Sequence, residues 1–152
     1  MTDLLKWRAV ATAFAALSPI GGVKVVDFAH IPADAKLLTP ILFPWPGGAI
    51  KGLKPERLTL ASGGIAKYQL TYAMTWRYLH APIAAGLGGF SDYDGFMANM
   101  DAIYAAILTN ADVLTGSATV YLPDVPGVGP TFDPSYNQYH GCDLTFQVFA
   151  EI

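Results

Sequence analysis

The stretch Ile65-Ala-Lys-Tyr-Gln-Leu-Thr-Tyr-Ala-Met-Thr-Trp-Arg-Tyr-Leu-His80 decides the fold. Taken alternately, it puts Ala66, Tyr68, Leu70, Tyr72, Met74, Trp76 and Tyr78 on one face. The other face carries Lys67, Gln69, Thr71, Thr75 and Arg77, broken only by Ala73. Successive side chains of a strand point to opposite faces, so this run predicts a strand far longer than the ordinary ~5–6 residues. Its apolar face is expected to be buried. Its polar face is expected to meet water, a lumen or a partner.

Working back from this stretch, Glu56 to Ser62 alternates in the same way, with Leu58 and Leu60 opposed to Arg57, Thr59 and Ala61. Ser62-Gly63-Gly64 joins the two runs, which predicts a hairpin with one very long arm. Further upstream, Leu4, Trp7, Val10, Phe14 and Leu17 recur at helical spacing and predict a helix over Leu4 to Leu17 that ends at Ser18-Pro19. Short strands are expected over Val23 to Phe28 and, despite Pro40, over Leu38 to Phe43. Pro44-Trp45-Pro46-Gly47-Gly48 then stops regular structure. An aromatic side chain on so stiff a backbone loses little entropy on binding, which makes Trp45 a candidate contact residue. The competing expectation is that Trp45 folds back onto its own domain.

Downstream, Ile83 to Phe90 reads as a glycine-rich loop and Ser91 to Asn110 as a second helix, with Phe96, Met100, Ile103, Tyr104 and Ile107 on its apolar stripe. Ser91 or Asp92 is the expected cap, and Asp92 and Asp94 suit the positive end of a helix. Ser117 to Leu122 and Tyr139 to Ile152 read as strands. Between them Pro123 to Gln138, with four prolines, reads as a long loop of the kind that is usually functional or unstructured. The whole predicts a single α+β domain over residues 1–152: a mostly antiparallel sheet with one very long strand, packed on two helices.

Composition narrows the function. Charged residues make up 14% of the 152 and hydrophobic residues 53%, too little charge for an isolated domain to disperse easily. A membrane span is not the explanation, because the longest uncharged run, Ala9 to Val23, falls short of the ~20 residues a spanning helix needs. Asp3 and the lack of a basic start argue against a signal peptide. Burial of surface in an assembly remains. The net charge of −3, without a basic run, argues against a dedicated nucleic-acid binder. A single cysteine, Cys142, rules out an internal disulfide framework.

No catalytic pattern stands out. His140 and Cys142 are two apart, but zinc takes three or four ligands and nothing completes the set. Asp92-Tyr93-Asp94-Gly95 lacks the later ligands of a calcium loop. Gly86-Leu87-Gly88-Gly89 lacks the Lys-Ser/Thr of a phosphate loop. No enzyme activity and no cofactor are expected.

A pattern does emerge from the order of elements. A first helix leads into Gly22-Val-Lys-Val-Val26 and a proline-containing loop. The long strand with Tyr68-Gln-Leu-Thr-Tyr72 follows, then a helix containing Asp101-Ala-Ile-Tyr-Ala-Ala-Ile107, and closing strands. This layout resembles the tail terminator and related neck proteins of long-tailed bacteriophages, over most of the chain, with Pro123 to Gln138 as a departure. The resemblance implies a structural virion protein, assembled in the host cytoplasm, that forms a homo-oligomeric ring, a hexamer, on top of the tail tube. Its implied partners are itself, the tail tube protein and a head-completion or connector protein, with genomic DNA passing through the lumen without sequence-specific binding. A head-closure protein or a tube subunit is the alternative, and a small-molecule binding domain a more distant one. The expected contact residues are Trp45, Lys67, Gln69, Arg77, Phe132 and Tyr136. Trp45→Ala is expected to weaken assembly without unfolding the domain.

Overall fold

Two long strands lie side by side at the centre of the protein and carry everything else. The computed structural model describes residues 7–45, 51–60, 66–83, 92–110, 118–121 and 127–151. The elements are α1 (Trp7–Ala16), β1 (Lys24–Val25), β2 (Ile41–Pro44), β3 (Lys51–Leu60), β4 (Ala66–Pro82), α2 (Tyr93–Asn110), β5 (Ala118–Tyr121), β6 (Gly129–Phe132) and β7 (Gln138–Glu151). They form an α+β fold with one seven-stranded sheet in the order β1-β2-β4-β7-β5, with β3 also beside β4 and β6 also beside β7. The β1–β2 pair is parallel and every other pair antiparallel.

The 17-residue β4 is the expected long strand. It pairs along most of its length with β7, from Gln69↔Glu151 to Pro82↔Tyr139. In this register Tyr72, Met74, Trp76 and Tyr78 stand opposite Val148, Phe146, Leu144 and Cys142, and all eight are buried. Both helices cover this face. Val10, Ala11 and Phe14 come from α1, and Phe96, Met100, Ile103 and Ile107 from α2. Phe14 packs 5.0 Å from Trp76 and 5.2 Å from Phe146, centroid to centroid. Each such fully buried large side chain contributes roughly 1.5–3 kcal/mol.

The polar face departs from expectation at one end. Leu79, Ile41, Phe43 and Tyr139 form a second, smaller core with Val26 and Ala35, on the face that neither helix covers. The alternation of β4 is carried past Arg77 by an apolar residue on the polar side, so that face is half core and half surface.

Pro123 to Gln138 is not one long loop. Gly129–Phe132 is a strand, β6, paired with β7 from Gly129↔Gly141 to Phe132↔Gln138. Four prolines masked it, but an outer strand tolerates a missing ladder donor, and Pro130 sits in one. The shorter errors have similar causes. The predicted Val23 to Phe28 strand keeps only Lys24–Val25, because Asp27 turns the chain into the 3-10 segment Phe28–His30 by accepting from Ala29 N. The predicted Leu38 to Phe43 strand begins only at Ile41 and runs through Pro44. Upstream of the hairpin, β3 begins at Lys51 and continues through Pro55. The Ser62-Gly63-Gly64 turn, the Ile83 to Phe90 loop beyond Ile83, and the Ser91 cap lie outside the described residues.

Candidate interaction surface

Arg77 and Trp45, two of the residues that the sequence marks for contact, meet on the face of the sheet that neither helix covers. On β4, Arg77 is placed opposite Asp143 of β7, so a long cation and a short anion meet on one face. The pairing is bidentate: Nε donates to Oδ1 at 2.7 Å and Nη2 to Oδ2 at 3.0 Å. Nη1 donates to the Phe132 carbonyl at 3.0 Å, which ties β4 to the β6 end across β7. The guanidinium carbon lies 3.6 Å from the centroid of the Trp45 ring. Trp45 is held in turn by its own N–H, which donates to the Thr75 carbonyl at 3.0 Å, and by Phe43 at 6.2 Å. Each of the three guanidinium nitrogens of Arg77 therefore donates within the chain, and its side chain is only 14% exposed.

Three of the six expected contact residues are thus brought together, Trp45 and Arg77 by their side chains and Phe132 by its main-chain carbonyl. Trp45 folds back onto its own domain as the upper plate of this stack, and only part of its ring faces outward. Beside it lies a shallow cleft of about 250 Å³ between Arg77, Asp143 and the β6 residues Gly129 to Phe132. Lys67 and Gln69 belong to the other half of β4, where Lys67 pairs with Thr59, and Gln69 with Glu56 and Glu151.

Tyr136 stands apart, on the turn that joins β6 to β7. Its φ is +63° and the residue is 84% exposed. The turn is built on Asp133, which is fully buried. Oδ1 accepts from Ser135 N and Asn137 N, both at 2.9 Å. Oδ2 accepts from Ala35 N at 3.1 Å, and from Asn137 Nδ2 and the Tyr139 hydroxyl at 2.9 Å. Burial by itself raises a carboxyl pKa. Here these donors outweigh it and hold the Asp133 pKa below the ordinary carboxylate value. A further bond from Ser135 Oγ to the Ala33 carbonyl docks the 33–38 segment onto the turn. Leu37, on that segment, is 92% exposed.

A second polar group lies under α2. The Asp92 carboxylate accepts from His80 Nε2 at 2.7 Å, which leaves Nδ1 to accept from the Tyr78 hydroxyl at 2.5 Å. Asn99 Nδ2 donates to the same hydroxyl at 2.7 Å. The His80 hydrogen bond holds the Asp92 pKa low, and burial pushes the Tyr78 phenol above its usual value. Asp92 is both the first-turn cap foreseen from sequence and the end of a chain of side chains that was not. That chain runs inward from the helix end, with Tyr78 and His80 buried, and presents no nucleophile to solvent. Cys142 is buried with its thiol against Met100 Sδ at 4.0 Å, and burial, then Asp143, pushes its pKa up to about 12. Among the described residues no three His, Cys, Asp or Glu side chains converge as a metal site requires. Nor is any described helix long and apolar enough to cross a membrane.

Asp133, Asp143 and Leu37 escaped the sequence reading. Asp133-Pro134-Ser135 is a turn signal in its own right, and it would have divided the supposed loop. No family model matches the chain, and no curated protein matches it.

Proposed function

We propose that this chain is a structural virion protein that forms a hexameric ring at the top of a phage tail tube. There it ends tube growth and joins the tail to the head. The observation that carries this reading is the layout: helix, short strands, hairpin with a 17-residue arm, helix and closing strands in one antiparallel sheet, as the resemblance implies. Two further features support it. Among the described residues β3 pairs on one side only, with β4, and an unpaired strand edge is the kind of surface an adjoining subunit can cover. The low charge fits large buried interfaces, where charged residues are depleted. The partners on this reading are copies of itself, the tube protein and a head-side connector. DNA passes the lumen wall without base-specific contacts, and the chain acts without a cofactor.

The test is the mass of the purified protein by light scattering, with negative-stain imaging of the same peak, followed by addition of tail tubes. Single rings that cap tubes and block their growth are the expected result. Long tubes formed by the protein alone would make it a tube subunit. A protein that neither assembles nor binds tube ends would end the virion reading.

A further inference from the structure

The polar group under α2 has a direction. The half-exposed Asn99 amide donates through Nδ2 to the Tyr78 oxygen at 2.7 Å. The Tyr78 hydroxyl donates to His80 Nδ1 at 2.5 Å, and His80 Nε2 donates to Asp92 Oδ2 at 2.7 Å. Every donor in this line points the same way, from the body of the helix toward Asp92. The line holds only while His80 is neutral, because a protonated ring carries a hydrogen on both nitrogens.

A second proton on His80 reverses the inner part of the line. Nδ1 then donates to the Tyr78 oxygen, and the phenol hydrogen must leave Nδ1. Tyr78 is fully buried, so its O–H without an acceptor would be costly. Asn99 already touches that oxygen. A half-turn of its terminal amide exchanges Nδ2 for Oδ1, about a torsion that is broad and roughly two-fold. The Nε2 bond to Asp92 is kept. The other groups around the ring hold their charge near neutrality. Burial pushes the Tyr78 phenol up, and the Cys142 thiol on β7 up to about 12. The His80 bond holds Asp92 low. On α2, Tyr93, Asp94 and Asp101 are exposed, and the one ionisable side chain of α1, Arg8, lies over Trp7. Ile41–Pro44 of β2 and the stretch 83–91 carry no ionisable side chain. His140, opposite Ala81 on β7, is the other histidine on this side of the sheet.

We propose that His80 is a proton sensor for α2: when it is protonated, the Asn99–Tyr78–His80 hydrogen bonds reverse and the Asn99 amide turns over. Histidine is the side chain whose ordinary titration falls between about pH 5 and 8. The exposed side of α2 at Asn99 then changes from offering a carbonyl to offering an NH2 group. The device is built into one chain and does not depend on ring assembly.

The test is a titration of the full chain by NMR between about pH 8 and pH 5, with the His80 and His140 rings resolved individually. The Asn99 side-chain amide resonances are expected to shift with the same midpoint as the His80 ring. The close approach of the Asn99 amide protons to the Tyr78 ring is expected to be lost as His80 charges. In Tyr78→Phe, His80 should still titrate while Asn99 no longer follows it. In His80→Gln, Asn99 should hold still across the range. If Tyr78→Phe fails to fold, the wild type and His80→Gln decide between them. A His80 that stays neutral throughout, or an Asn99 that stays put while His80 charges, would overturn the proposal. So would an Asn99 response that survives in Tyr78→Phe, or one that follows His140 in His80→Gln.

Discussion

At the scale of single residues, three positions have outcomes that follow from geometry. Asp133 is the first. In Asp133→Asn the new amide must face at least two of the donors that now meet Oδ2 or Oδ1, so those donors lose their acceptor. The expected loss is roughly 2–4 kcal/mol at pH 7, measured by urea unfolding. The sign with pH also follows. The folded pKa of Asp133 is depressed, so its contribution is present above the ordinary carboxylate pKa of ~3.9 and is lost as pH falls through the lower folded value. The wild type should therefore lose stability steeply below about pH 4, and Asp133→Asn should show a shallower acid limb. The second is Gly141, paired with Leu79 where the β4–β7 register shifts between Leu79 and Ala81. A Cβ there would run into the Tyr78 carbonyl of the paired strand, and neither backbone can yield cheaply. Gly141→Ala is expected to cost roughly 2–4 kcal/mol in the same assay, and a loss below a few tenths would mean that the strands separate locally at no expense. The third is Tyr136. Its left-handed backbone costs of order 1–3 kcal/mol, so Tyr136→Gly alone should raise the melting temperature, and a lowered one would mean that the ring packs on its own domain after all.

At the scale of elements, the same alternation that was legible in Ile65 to His80 built β4, and the stripes of Phe14 and Ile103 built the helix layer. These patterns are local and periodic, so they survive in a one-dimensional reading. What did not survive was pairing. β6 is a strand because β7 lies beside it and Asp133 turns the chain, not because Gly129-Pro-Thr-Phe132 favours extension. The contact cluster was partly legible. Trp45 was singled out for its stiff backbone, Arg77 for the polar face of the long strand and Phe132 for its loop, yet Asp143, which anchors Arg77, is 66 residues away and only the register of β4 with β7 places it there. The seating of α2 is another such product, through Asn99, Tyr78, His80 and Asp92. Tyr78→Phe deletes the hydroxyl at the middle of that chain and should cost about 1–3 kcal/mol. Amide exchange should quicken most in the first turns of α2, and uniform acceleration through the protein would show that the chain does not hold that helix end in particular. Trp45→Ala removes one plate of the Arg77 stack and should cost up to about 2 kcal/mol without unfolding the domain. Circular dichroism checks the fold and tube-capping yield checks the surface.

At the scale of the whole molecule, a sheet whose two described helices lie on the same side is an asymmetric object. The helix side closes a core, while the other side carries a small core, a stapled arginine and a rigid aromatic turn. That division suits a subunit whose neighbours meet different faces, and it predicts that rings, if disrupted, will yield folded monomers rather than denatured chain. Dilution or raised salt followed by circular dichroism would check this, and loss of secondary structure in step with loss of rings would contradict it. The central pairing of β4 with β7 has a further consequence, in time rather than space. Roughly 70 residues separate Pro82 from Glu151, so at about 5–20 residues per second β4 waits several seconds on the ribosome before its long partner is complete. During that interval Trp76 and Tyr72 stand on a strand with an open flank, and the nascent chain is at its most adhesive. Few of the contacts that matter are local, and such topologies close late. Trp76 lies within the β4–β7 pairing, so its fluorescence should report the slow closing step on refolding, after the helices have already formed.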